Sequence, residues 1–129
     1  MEQRSGLVPY LFYDNAAAMI DWYKTVFGFA EHSRYTNEDG SVRNAEMIVG
    51  ATELWMDGNP PAGWQPSAVP WIGVWEDDPD EMYEKIKAHG AEIDPPEDRP
   101  YGVRMTGVVR DPEGYSWAFM RRIPKLSSL

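Results

Sequence analysis

The stretch Val8-Pro9-Tyr10-Leu11-Phe12-Tyr13 is answered further down the chain by Val69-Pro70-Trp71-Ile72-Gly73-Val74-Trp75. Each is a short β-branched and aromatic run opened by Val-Pro. Each stops at an acidic break, and each is followed by a helical stretch that ends on glycine, Gly28 in one case and Gly90 in the other. Val8 and Val69 lie 61 positions apart, and Gly28 and Gly90 lie 62 apart. In a chain of 129 residues such a period leaves room for two copies, whereas a stacked solenoid needs about three or more. The chain is an internal duplication, and corresponding strands of the two copies are the places to look for chemistry.

Working outward from these strands, Met19, Ile20, Tyr23, Val26 and Phe27 recur at helical spacing. Asp14 or Asn15 can cap that helix, and Gly28 can end it. The second helix opens with Asp78 as cap, Pro79 in the first turn and Glu81 three residues after the cap. Met82, Ile86 and Ala88 or His89 supply its narrow buried stripe. Strands are expected over 30–36, 42–49 and 52–56, then over 91–93, 104–110 and 115–121. Asp94–Pro100 is expected to be a rigid polar loop, and Asn59–Pro66 a stiff, proline-rich linker. Each half is then βαβββ. The expected organisation is one domain over 1–129, with module one at about 6–58, linker 59–66 and module two at about 67–123; the tail 124–129 should fray.

Composition narrows the function. There is no cysteine, hence no disulfide framework, thiolate zinc site or cysteine nucleophile. Twenty-one acidic residues face twelve basic ones, for a net charge of −9, and the basic residues are scattered. A nucleic-acid partner needs a basic stripe to neutralise phosphates, so none is expected. No stretch approaches the length of a membrane span, and the polar start is wrongly flanked for a signal peptide. The expectation is a soluble cytoplasmic protein with no membrane partner.

The two βαβββ units combine with Trp22-Tyr23-Lys24-Thr25-Val26-Phe27-Gly28-Phe29 and Arg110-Asp111-Pro112-Glu113-Gly114-Tyr115. Together they resemble the vicinal oxygen chelate superfamily: glyoxalase I, extradiol dioxygenases, fosfomycin-resistance transferases and bleomycin-resistance binding proteins. The resemblance spans about residues 6–122. Leu7–Phe29 and Tyr101–Trp117 look most like the PhnB-type and bleomycin-resistance-type branch. It implies an α+β fold, two βαβββ modules forming a curved sheet around a cleft, and a homodimer with Asn59–Pro66 and Asp94–Pro100 as candidate rim loops.

In metal-using members the resemblance implies four ligand positions, which fall here on Val8, Glu53, Trp71 and Ala118. Only Glu53 can bind a metal. Asn44 stands where the PhnB-like branch carries a histidine at the head of Asn44-Ala45-Glu46-Met47. A Lewis-acid site needs about three protein ligands with one position open. No metal and no cofactor are therefore expected. Side chains two apart share a strand face, so the pocket should present Val8, Tyr10 and Phe12; Glu53, Trp55 and Asp57; Asn44 and Glu46; Trp71, Gly73 and Trp75; and Ser116, Ala118 and Met120. The candidate ligand-binding residues are Tyr10, Asn44, Glu46, Glu53, Trp55 and Trp71, with Arg104 at the edge for an anionic group; no catalytic residue is assigned. Aromatic walls with sparse carboxylates suit an aromatic or cationic small molecule. The leading expectation is a metal-free sequestration protein of the bleomycin-resistance type. The alternatives are a metal-dependent lyase, isomerase or dioxygenase with atypical ligands such as Glu46, Glu53 and His32, or a metal-free enzyme using Glu46 or Glu53 as base.

Overall fold

A computed structural model describes residues 6–66 and 70–125. Val69, the polar start 1–5 and the tail from 126 onward lie outside the described residues, and with them the expectations placed there. The fold is α+β, and the chain divides between Gln65 and Pro66 into two compact units.

The first unit runs β1 (Tyr10–Phe12), α1 (Ala16–Trp22), β2 (Ala30–Thr36), β3 (Val42–Val49) and β4 (Thr52–Asp57). Its sheet has the order β1-β4-β3-β2. Asn15 caps α1, its side-chain oxygen accepting from the Ala18 amide at 3.1 Å. The helix does not continue as α to the glycine. Tyr23–Phe27 form a π turn that closes on Gly28 at φ 77°, a left-handed conformation that favours glycine. Tyr23, Phe27 and Phe29 are buried there, with Trp22 half-buried against Phe27 at 4.8 Å between ring centres. The Tyr13 and Tyr23 hydroxyls meet at 2.7 Å, so neither buried phenol loses its hydrogen bond. Ala45 and Met47 on β3 alternate with Asn44 and Glu46, and Leu54 and Met56 on β4 alternate with Glu53 and Trp55. The apolar set is buried on the helix side, and the polar set is left on the opposite, open face. Burying each Leu or Met contributes about 1.5–3 kcal/mol, which fixes which face turns inward.

The second unit runs β5 (Ile72–Trp75), α2 (Pro79–Ala88), β6 (Glu97–Arg99), β7 (Val103–Met105), β8 (Val109–Arg110) and β9 (Ser116–Arg122). The sheet order is β5-β9-β7-β6, with β8 also pairing β9. Asp78 caps α2 through the Glu81 amide at 3.0 Å, with Pro79 at the first position as its sequence predicts. Ile86 is buried and Met82 half-buried, while Ala88 and His89 are exposed, so the buried stripe is narrower than expected.

Two strand expectations need correction. Residues 91–93 form no strand; the strand lies at Glu97–Arg99, inside the segment expected to be loop. Its register Glu97↔Met105 to Arg99↔Val103 puts it at the sheet edge, where backbone pairing to β7 outweighs the low strand preference of charged residues. The run 104–110 is broken in two. Met105 pairs Met120, yet Val109 pairs Trp117, so Gly107 and Val108 together stand opposite the single residue Ala118. That is a β-bulge. A Cβ at Gly107 would come within 2.7 Å of the Asp94 Cβ and 3.0 Å of its backbone nitrogen, so the bulge needs glycine there. The extra residue turns Val109 to the buried side. Beyond it, Asp111-Pro112-Glu113-Gly114 forms a turn built on Asp111. One carboxylate oxygen accepts from the Glu113 and Tyr115 amides and the other from the Trp117 indole at 2.9 Å.

In both units the first strand joins the last in parallel, Tyr10 opposite Trp55 and Trp75 opposite Met120. With the bulged β7–β8 taken as one interrupted strand, each unit is βαβββ.

Candidate ligand-binding faces

On the first sheet, register decides which side chains share the open face. Tyr10, Trp55, Glu46 and Ser33 form one row across four strands, and Phe12, Asp57, Asn44 and Tyr35 form the next. Glu53 stands opposite Ile48 on the same face. None of these register positions carries a lysine or arginine. Tyr10, 47% exposed, donates its hydroxyl to Asp57 Oδ2 at 2.7 Å and accepts from Asn44 Nδ2 at 3.3 Å. The bond to Asp57 stabilises the phenol over the phenolate and raises the Tyr10 pKa. Ser33 Oγ donates to Glu46 Oε2 at 2.5 Å, and Trp55 Nε1 reaches Glu53 Oε1 at 3.4 Å. The Tyr10 and Trp55 rings lie 6.4 Å apart, tilted by 31°, and Phe12 meets Trp64 edge-on. The face is thus a belt of aromatic rings set among three half-buried carboxylates: Glu46 and Asp57, bonded by neighbours on adjacent strands, and Glu53, met by Trp55 of its own strand.

Five sequence-predicted residues, Tyr10, Asn44, Glu46, Glu53 and Trp55, therefore stand on one surface. Ser33 was not anticipated. A serine on a polar strand carries no signal of its own, and only the pairing register brings it to Glu46.

In the second unit, Trp71 precedes β5 and is 43% exposed. Gly73 and Trp75 pair with Ala118 and Met120, sharing a face with Val103 and Met105. Arg104 departs from expectation. It stands on the other side of this sheet, where Nε and Nη2 donate to the two oxygens of Asp80 at 2.8 and 2.7 Å, and Nη1 donates to Asp98 at 2.9 Å. The two carboxylates hold its pKa above the usual arginine range. With its donors taken by its own unit, Arg104 is a structural tie between α2 and the β6–β7 hairpin, and it is dropped from the candidate set.

The four superfamily ligand positions can be tested for fit to a metal. Val8, Trp71 and Ala118 carry no donor, leaving the Glu53 carboxylate alone. Among the described residues no group of three or more histidine, aspartate or glutamate side chains is placed to hold a metal ion. His32 is exposed on β2, and His89 Nδ1 lies 2.8 Å from the Lys85 carbonyl at the end of α2. This donor set does not fit a Zn, Ni or Fe centre. No described helix is long and apolar enough to cross a membrane.

Residues 7–119 match the model of the Glyoxalase/Bleomycin resistance protein/Dioxygenase superfamily. Among solved structures the chain is similar to TioX from Micromonospora sp. ML1, with 30% identity and TM-score 0.75 over 95% of this chain and all of that one. It shares its fold with TnmS3, an antibiotic binding protein from Streptomyces sp. CB03234, at 18% identity and TM-score 0.64 over 94% of this chain and 99% of that one. It shares it too with the fosfomycin resistance protein FosX from Listeria monocytogenes, at 16% identity and TM-score 0.68 over 92% and 94%. No curated protein matches the chain in sequence.

Proposed function

Because the chain belongs to the glyoxalase/bleomycin resistance protein/dioxygenase superfamily, we propose that it has kept the superfamily's binding surface without its metal chemistry. It acts as a metal-free protein that sequesters a small aromatic or cationic molecule. The observation that carries this reading is the open face of the first sheet. Tyr10 and Trp55 offer ring faces; Glu46 and Glu53 supply negative charge beside Trp55, and Asn44 supplies an orienting amide. Rings and carboxylates together favour a planar cation, through stacking, cation–π attraction and direct ion pairing. Trp71, on the second unit, is proposed as an exposed aromatic contact of that unit's own open face. The antibiotic-binding description of TnmS3 supports a binding role, and the single donor among four ligand positions supports one without a transition metal.

The test is a thermal-shift screen of planar aromatic cations and neutral molecules of the same shape, followed by titration of tryptophan emission. A ligand at about 100 times its Kd should add about 2.7 kcal/mol to stability. Glu53→Gln should weaken cations and spare the neutral molecules, and Trp55→Ala should weaken both by about tenfold, as loss of a stacked ring implies. Unchanged affinities in both variants, or about one Zn, Ni, Mn or Fe per chain after mild purification, would sink the reading.

A further inference from the structure

On the α2 side of the second sheet, Asp98, Arg104 and Arg121 stand in one row across β6, β7 and β9. Arginines directly opposite one another on neighbouring strands repel unless their charge is met. That of Arg104 is met, since Asp80 and Asp98 accept from its Nε, Nη1 and Nη2. Arg121 adds to the field on Asp80, yet it makes no hydrogen bond or ion pair among the described residues. On edge strand β6, Arg99 gives Nη1 to Glu97 Oε2 at 3.1 Å. Its Nε is closed off from solvent without a partner, the one side-chain nitrogen or oxygen in that condition among the described residues. A charged donor left so is unfavourable, and an acceptor that reaches it removes the penalty. Nε and Nη2 form the edge of a guanidinium that takes two oxygens side by side. Arg104 uses that same edge on Asp80. These groups converge on one cavity of about 460 Å³, lined by Asp98, Arg99, Arg104 and Arg121, with Ile123 and Pro124 as its apolar wall. Three of the chain's twelve basic residues thus meet in one place, in a protein of net charge −9.

We propose that this cavity binds a phosphate monoester. The phosphate accepts from the Nε–Nη2 edge of Arg99 and from Arg121, and the organic part of the ester lies against Ile123 and Pro124. Arg99 is tied only through Nη1, to the exposed Glu97, so its side chain can turn that edge into the cavity. Arg104 makes no direct contribution: its donors are held by Asp80 and Asp98, and its charge offsets that of Asp98. The ligand class follows from the groups left open. Two guanidinium groups match a dianion with three terminal oxygens, whereas a carboxylate or sulfonate carries a single charge. A phosphate monoester, with a second pKa of about 6, is that dianion at neutral pH and above. The cavity has the size of a small-molecule site. No residue of the face proposed above for cations takes part.

The probe is phenyl phosphate, titrated calorimetrically into the intact protein at about pH 8, where it is a dianion. Benzenesulfonate and inorganic phosphate are the comparisons. Phenyl phosphate should bind with a submillimolar Kd. Both comparisons should bind about tenfold more weakly, the first for its single charge and the second for its missing ring. Arg121→Gln and Arg99→Gln should each weaken phenyl phosphate by about tenfold, and Arg121→Lys should recover part of the loss. Arg122→Gln removes the same charge one residue along, on the other side of the strand, and should change the affinity by less than about twofold. Circular dichroism checks that the variants fold; Arg121 and Arg122 are exposed, so their comparison stands even if Arg99→Gln does not fold. An anionic bilayer repels a chain of this charge, so vesicles of phosphatidylcholine and phosphatidic acid should not sediment the protein. The proposal is overturned if phenyl phosphate does not bind, if benzenesulfonate binds as tightly, or if Arg121→Gln leaves the affinity unchanged. It is overturned too if Arg122→Gln weakens binding as much as Arg121→Gln, since overall charge would then be the cause. Sedimentation with the vesicles would assign the phosphate to a lipid headgroup and refute a soluble ligand.

Discussion

Asp111 shows how much one side chain can organise. Its two oxygens serve two backbone amides and the indole of Trp117, which is 1% exposed. Replacing it by alanine strands buried donors, each costing about 1–3 kcal/mol, so Asp111→Ala should lower stability by about 3 kcal/mol in urea unfolding. A loss below about 0.5 kcal/mol would mean water replaces the carboxylate. Arg104 works differently. It depresses the pKa of Asp80 below the usual range, chiefly through their hydrogen bonds. A depressed carboxylate contributes stability above its unfolded pKa of about 3.9, lost as pH falls through the folded value. Arg104→Gln should therefore unfold more readily than wild type at neutral pH, and the gap between their urea midpoints should narrow below about pH 4. A gap independent of pH would disprove the coupling. The turn motif around Asp111 was legible in sequence because its partners are local. Arg104 was not, because Asp80 lies 24 residues away and only the fold brings them together.

At the scale of elements, both caps and the three strands of the first unit were legible, since Asn15, Asp78 and the alternation along β3 and β4 are local signals. The π turn at Tyr23–Phe27 was not: shifting a hydrogen bond by one residue leaves no mark on side-chain spacing. Nor was the bulge, because one unbroken strand and a strand with an inserted residue read alike when Val108 and Val109 are both apolar. Its consequence can be measured. Gly107→Ala pushes a methyl group against Asp94, and should cost about 1–3 kcal/mol by overpacking. A loss under 0.5 kcal/mol, on the order seen at open surface sites, would show that the 91–96 segment simply moves aside. The candidate site followed the same division. Five residues placed by alternation share one face of the first sheet, whereas Ser33 depends on register, and Arg104, expected at a cleft edge, is tied to Asp80 and Asp98.

For the whole molecule we predict a homodimer, as likeness to the superfamily implies. Sedimentation at micromolar concentration should give about twice the 14.7 kDa chain mass; a monomer mass would refute this. The parallel closure of each unit bears on the order of folding. Tyr10 and Trp55 are 45 residues apart in sequence, as are Trp75 and Met120, while β2, β3 and β4 follow one another antiparallel with short turns. Closing the longer loop costs more chain entropy, so the hairpins should form first and β1 and β5 dock late. In chevron kinetics, Leu54→Ala should slow folding, and Leu11→Ala should chiefly speed unfolding; the reverse pattern would place β1 in the nucleus. If β1 docks last, Tyr10 is set in place at the final step. A molecule that grips it would then act as a latch, lengthening the lifetime of the native state while leaving the speed of reaching it unchanged.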